Sequence, residues 1–522
     1  MRAWLEKHQH RMITVALVGV LTLCFFYICR INLSLNPGFY CTDMYSDVLY
    51  AVRAWEARSI FPDGWVFGNQ FYVIATPVWA ALIYGITGHA ALAMALATIL
   101  MTVGIAWSLL WMLKPVFPRL EARLVALLGL VSVTAYCGDA VYSTNGWQLF
   151  FTMCSYYACY LITAFLCFGF FLRRGDRLTK PRIALFVLTL LLSLGAGMQS
   201  LRQTAIMIPS MLAVESFAQL YHWRRERKLC RRSLLMTLAL SVSNLFGVLL
   251  IRLLEIPQHR IFREAHLLRL SDALPSIKSA LKNMSALLSE KDGYAWILLV
   301  VLLLLAAELL QSKWRKKEQP TRCYVPILLF AVSVLVIFAL DAFTAMTVRS
   351  IYYFMLFPLV AVLMAYVYSQ WKGGRVIVVA LLTIMVVGSF RNHVLPISET
   401  ASEANSNVSY EISDMLIEKG YTTIYSGWNQ CEDIAIASGG KITAGFWDRS
   451  VAVFEPVTYL CDPSVYTVES EKCVYYLRRD NREIALQKAH ERGVTMTLVA
   501  AYPEWGIWLY EASENLMMPQ GK

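Results

Sequence analysis

Charge is scarce in this chain. Only 16% of its 522 residues are Asp, Glu, Lys or Arg, while 57% are hydrophobic. A soluble globular domain carries about 25% charged residues. That shortage excludes a soluble enzyme and a disordered chain. Internal repeats, low-complexity tracts and tandem domains are absent too, which excludes a repeat array. The chain has no Walker A loop, no GxGxxG after a strand, no HExxH and no GxSxG. The nucleotide, zinc-protease and hydrolase signatures are therefore missing. Twelve cysteines are present, but not as a framework. Nine lie in or beside apolar stretches, where Cys is commonly a small buried hydrophobe. Cys431, Cys461 and Cys473 are odd in number and lack zinc spacing. A disulfide-stapled secreted domain is excluded, and a Cys461–Cys473 bridge is left open.

What the chain has instead is long apolar runs. A membrane span needs roughly 20 mostly apolar residues. Eleven spans are expected, near 12–34, 90–113, 124–141, 147–172, 183–200, 204–222, 233–254, 295–311, 323–343, 351–370 and 374–391. The first resembles a signal peptide in layout. It is too long for a typical h-region and lacks a clear small-x-small site, so it reads as an uncleaved helix. The fold class is a polytopic α-helical membrane protein. The net charge of +11 does not point to nucleic acid, because 24 of the 47 Lys and Arg cluster at the N-terminus and in five short loops. Those clusters have the positive-inside pattern of cytoplasmic loops. With the N-terminus inside, all of them fall inside, and the C-terminal part falls outside the plasma membrane. The apolar segment 71–87 is read as an interfacial helix, because counting it as a span would invert every later loop.

Two units follow: 1–395 in the membrane and 396–522 as a small extracytoplasmic α/β domain. The second is expected to hold helices near 408–418, 431–437 and 481–492. Its strands are expected near 421–426, 442–447, 473–478, 494–501 and 506–511. The outer loop 255–294 carries Leu274, Ile277, Leu281, Met284 and Leu288 at spacings of three and four, one face of a helix.

The first outer loop, 36–88, contains GFYCTDMYSDVLYAVRAWEARSIFPDGW. Asp43 and Asp47 are four apart and share a face if the segment is helical. Each can cap a helix or serve as a general base. Arg202 and Arg349 lie near the outer ends of spans. Arginine there is costly and either paired or functional, and its fork suits phosphate oxygens. Asp341 is a candidate ion-pair partner for Arg349. His259, His266 and Arg269 of the basic loop 255–294 are further candidates to face such a phosphate. Glu215, inside a span, invites a relay hypothesis, but a structural pairing is the stronger reading.

Four patches carry a family resemblance: TDMYSDVLYAVRAWEARSIFPDGW, SLRQTAIMIPSML, VRSIYYFMLFPL and EKGYTTIYSGWNQCEDIAIASGGKI. With the first-loop acid, the interfacial segment FYVIATPVWAALIYGITGHAAL and the terminal α/β domain, their order resembles the GT-C superfamily of integral-membrane glycosyltransferases. The resemblance implies a polyprenyl-phosphate-linked sugar donor used on the outer face. It implies a glycan, lipid or protein acceptor in a bacterial cell envelope, and inversion at the sugar. Asp43 matches the superfamily's first-loop catalytic acid, and Asp47 stands where relatives often carry Glu. Asp139, in the loop YCGDAVYSTNGWQ, is the candidate second acid. Asp43 would deprotonate the acceptor or orient a divalent metal, Mg or Mn; Arg202 and Arg349 would hold the donor phosphate. The rival readings are a flippase of lipid-linked saccharides, which needs polar residues across the bilayer, and a non-catalytic GT-C-like scaffold.

Overall fold

The structure is a computed structural model. It describes residues 2–136, 147–174, 179–227, 229–259, 272–289, 300, 302–310, 323–344, 348–400, 406–448 and 453–518. The helices of the first unit are α1 (Arg2–Leu33), α2 (Thr42–Glu56), α3 (Thr76–Thr87), α4 (Ala90–Leu113), α5 (Leu120–Tyr136), α6 (Ala158–Leu172) and α7 (Lys180–Gln199). They continue as α8 (Leu201–Glu226), α9 (Arg231–Leu253), α10 (Ala273–Ser289), α11 (Val325–Phe343), α12 (Leu356–Gln370) and α13 (Lys372–Ser389). Seven helical segments among the described residues are long and apolar enough to cross a membrane. At twelve residues, α3 is too short to span.

One expected span is broken. Residues 147–172 do not form a single helix: only Trp147–Phe150 and α6 are helical. Between them Met153 and Ser155 adopt positive φ, a conformation uncommon for residues other than glycine. Irregular backbone inside an apolar bundle must find its partners within the protein. Asn32 of α1 supplies two of them, donating to the Phe151 carbonyl (2.9 Å) and accepting from the Met153 amide (2.8 Å). Thr98 donates to the Met153 carbonyl, and Thr76 meets the Ser155 hydroxyl at 3.0 Å.

Helices α7 and α9 touch backbone to backbone. A Cβ at Gly197 would lie 1.9 Å from the Asn244 carbonyl oxygen, and one at Gly247 would lie 2.0 Å from that of Leu194. Small residues at a crossing allow this approach and free polar side chains to bond across it. Asn244 donates to the Ser193 carbonyl and accepts from Thr204.

The amphipathic stripe expected in 255–294 falls on a helix, α10. Against α11, α10 buries Ala280 and uses Asn283 and Met284, while Leu274 and Leu281 stay exposed. The apolar stripe is thus divided: Met284 packs on the protein, while Leu274 and Leu281 face outward, as lipid-contacting residues would. The side chain of Leu288 lies outside the described residues.

The second unit follows α14 (Ser406–Glu418). Its strands are β1 (Thr423–Gly427), β2 (Thr443–Trp447), β3 (Cys473–Arg478), β4 (Met496–Tyr502) and β5 (Ile507–Ala512). They form one sheet in the order β2-β1-β3-β5-β4, with β1 parallel to β2 and β3, and β5 antiparallel to β3 and β4. β1 is buried throughout, as a parallel strand covered on both faces should be. One cover is α14 with α15 (Glu432–Ala437); the other includes α16 (Arg482–Glu491) and a stack of Tyr425, Tyr466 and Tyr475. Cys461 and Cys473 are free thiols.

Candidate functional site

Helix α2 carries the first-loop acids. Its N-cap, Cys41, offers no side-chain cap, yet Thr42 is fully buried. The cap comes from the second unit: the Asn429 Oδ1 accepts from the Thr42 amide at 2.9 Å, and the Asn429 amide donates to the Thr42 Oγ1 at 2.8 Å. Tyr45 adds a third tie, its hydroxyl accepting from the Ala444 amide on β2. At the far end, Trp55 packs where a Cβ on Gly85 of α3 would strike its ring at 2.3 Å.

Held this way, the two acids meet different surroundings. Asp43 is half-buried in the first turn, where the helix dipole favours a negative charge. Asp47, one turn on, is 1% exposed. The Tyr72 hydroxyl lies beside its carboxyl, while Oδ1 has no hydrogen-bond partner among the described residues. Burial first, and the Asp43 charge second, push Asp47 well above the usual carboxylate range. Asp47 therefore favours its neutral acid.

Residues 71–74 lead from Asp47 to the arginines. The Phe71 amide donates to the Gln199 carbonyl, and the Ile74 amide to the Gln199 Oε1. Gln199 ends α7; Ser200 caps α8 by accepting from the Arg202 amide. The Arg202 guanidinium donates to the Tyr157 hydroxyl at 3.0 Å and stacks 3.6 Å from the Tyr352 ring centroid. Arg349 precedes the 3-10 turn Ser350–Tyr353 and is exposed. Its charge and that of Arg202 both act on the Tyr157 hydroxyl.

The irregular segment 151–157 joins the two halves. Cys154 donates to the Met44 carbonyl of α2 at 3.5 Å and feels both Asp43 and Asp47. Three residues later, Tyr157 meets Arg202. Acids and arginines thus stand at opposite ends of one short buried stretch.

Other sequence candidates are placed elsewhere or fall outside. Asp139, His266 and Arg269 lie outside the described residues. His259 stacks on Tyr459 of the second unit at 4.7 Å. Asp341 is engaged by Asn283 and by the Tyr353 hydroxyl (2.8 Å), so its contacts run to those groups and not to Arg349. Glu215 accepts the one hydroxyl proton of Ser233, whose Oγ lies 2.7 Å from both carboxylate oxygens, and faces Arg174 at 3.6 Å, a structural pairing. Sequence reasoning missed Tyr72, Tyr157 and Asn429. The only available signal for Asn429 was its type, since Asn tolerates the left-handed backbone it adopts here (φ 61°).

Mg²⁺ and Mn²⁺ take oxygen ligands, carboxylates above all; of the three candidate acids Asp43 and Asp47 stand one turn apart on α2, and Asp139 lies outside the described residues. Among the described residues no group of three or more His, Cys, Asp or Glu could hold a metal ion.

The chain aligns over 97% of its length with the crystal structure of ArnT from Cupriavidus metallidurans bound to undecaprenyl phosphate, covering 99% of that chain. The TM-score is 0.52 and the identity 13%. The apo state of the same enzyme gives 0.44 at the same identity and coverage. No protein-family profile matches the chain, and no curated protein does. At this identity the likeness concerns the fold alone, and the fold of the present chain is GT-C-like.

Proposed function

We propose that this GT-C-like membrane protein is a glycosyltransferase taking a sugar from a polyprenyl-phosphate donor. The observation that carries the reading is the pairing of the Asp43 end and the Arg202–Arg349 end of one buried segment. The likeness to a structure holding undecaprenyl phosphate supports it. Arg202 and Arg349 would bind the donor phosphate through charge-assisted hydrogen bonds. Tyr157 and Tyr352 hold Arg202 ready, so little rearrangement accompanies binding. Asp43, the more accessible acid, would accept the proton of the acceptor hydroxyl as its oxygen attacks the anomeric carbon. The bond from that carbon to the phosphate oxygen breaks, and polyprenyl phosphate leaves with the electron pair. A single displacement of this kind inverts the sugar carbon. Asp47 would stay protonated, and no step is routed through a metal.

The reaction would take place on the outer face of a bacterial plasma membrane, with the N-terminus cytoplasmic and a cell-envelope glycan, lipid or protein as acceptor. Residues 1–395 would carry the chemistry and 396–522 would shape acceptor access. The flippase alternative loses its best candidate, because Glu215 is tied to Ser233 and Arg174. The test has two arms. Purified protein should bind undecaprenyl phosphate, with Arg202→Ala or Arg349→Ala weakening binding at least tenfold. Mass spectrometry of lipid-linked and surface glycans should show one product lost on deletion and not restored by Asp43→Asn. Undiminished binding by both arginine variants, or full rescue by Asp43→Asn, would overturn the reading.

A further inference from the structure

The junction between the two units lies against the proposed base. Thr42 immediately precedes Asp43, and its buried amide is one of the donors that an α-helix leaves unsatisfied at its start. The preceding residue, Cys41, offers it no side-chain cap. Asn429, 387 residues away in sequence, does so from the turn after β1, and returns a second bond from its own amide. Asn429 holds φ at 61° to achieve this, a conformation a residue keeps when its surroundings fix it. The neighbouring contacts point the same way. Val66 pairs with Cys461, the Leu460 amide donates to the Val66 carbonyl, and Tyr45 packs in the core of the second unit.

We propose that Asn429 is a positioning residue for transfer: by capping α2 from the second unit, it fixes the direction of the Asp43 carboxylate toward the donor held at Arg202. This rests on the glycosyltransferase reading. The second unit is then part of the active centre and not only a wall of the acceptor path. A small displacement of a catalytic group is costly, because reacting atoms must meet at near-contact distance. Loss of one cap bond should therefore lower turnover while leaving the phosphate site intact.

Asn429→Gly isolates the bond. Glycine adopts positive φ freely and keeps the amide that donates to Thr42, so only the Oδ1 acceptor is lost. Asn429→Asp keeps that acceptor and tolerates the same backbone. With full-length protein in detergent, hydrogen exchange of the segment 42–47 should speed up by about 2- to 30-fold in the Gly variant, the range expected for a lost cap. Its affinity for undecaprenyl phosphate and its thermal midpoint should stay at wild-type values. In cells, the Gly variant should give at least tenfold less glycan product, and Asn429→Asp should restore it. Unchanged exchange, or faster exchange with full product, overturns the proposal. So does a parallel loss of product, lipid binding and thermal midpoint, which would mark a merely structural residue, or a failure of Asp to rescue. A product that depends on Asp43 but not on Asn429 fails the positioning role alone. A product independent of Asp43 fails the glycosyltransferase reading itself.

Discussion

Asp43 and Asp47 stand one helical turn apart in different media, and that difference governs how each responds to substitution. Asp43→Asn keeps the shape and removes the base, so transfer should fall by about 10² to 10⁴ in rate while the protein still folds. Asp47 favours its neutral acid, which Asn mimics, so Asp47→Asn should leave glycan transfer within a few-fold of wild type. Equal loss in the two variants, measured as surface glycan product, would contradict these assignments. Glu432 provides a pH test. Burial is the main cause that raises it from the ordinary 4.5 to about 8. Its folded form therefore keeps a proton that the unfolded chain has already released. Between pH 4.5 and 8 the unfolded state binds fewer protons, and stability falls as pH rises. Glu432→Gln removes that contribution. The variant's thermal midpoint should decline less from pH 5 to pH 8 than that of the wild type, and identical slopes would refute the account. The acids were legible in the sequence as a pair. Their division into accessible and buried was not, because Tyr72 and Cys154 reach them from distant segments.

At the scale of elements, apolar length and helical spacing announced most of what is there. The strands and helices of 406–518 also fall close to where alternation placed them. The break at 151–157 was not announced, because FTMCSYY contains neither Pro nor Gly. It exists because Asn32, Thr76 and Thr98 bond to it, and none of these is local. The same limit applies to α10: its spacing of apolar residues gave a helix, but not that Ala280 and Met284 would meet the protein while Leu274 and Leu281 stay exposed. The α7–α9 crossing yields a direct test. Gly197→Ala places a methyl group 1.9 Å from the Asn244 carbonyl oxygen, and backbone on both sides limits relief. A loss of at least about 1–3 kcal/mol is expected, as for overpacked cores, seen as a lower thermal midpoint in detergent. Gly19→Ala, with nothing within 4 Å of the added methyl group, is the control and should melt as the wild type does.

Over the whole molecule, the topology read from the basic loops puts residues 396–522 outside the membrane. A C-terminal reporter that is active only outside should therefore work, and one active only in the cytoplasm should stay silent; the reverse would promote the 71–87 segment to a span. The general architecture was readable because hydropathy and charge asymmetry are sums over many residues. The joint between the units was not, because it depends on single bonds such as Asn429 to Thr42. The bond from Asn32 to the Phe151 carbonyl spans 119 residues, and this has a consequence for biogenesis. A ribosome adds about 5–20 residues per second, so Asn32 enters the membrane roughly 6 to 24 seconds before its partner has been made. During that interval its amide has only the Ile28 carbonyl one turn back, at 2.8 Å, and its other N–H and its Oδ1 must be met by water at the membrane edge or by the insertion machinery. The order in which helices leave that machinery is thus constrained: α1 has to wait beside it until the 151–157 stretch arrives to receive the rest of the Asn32 amide.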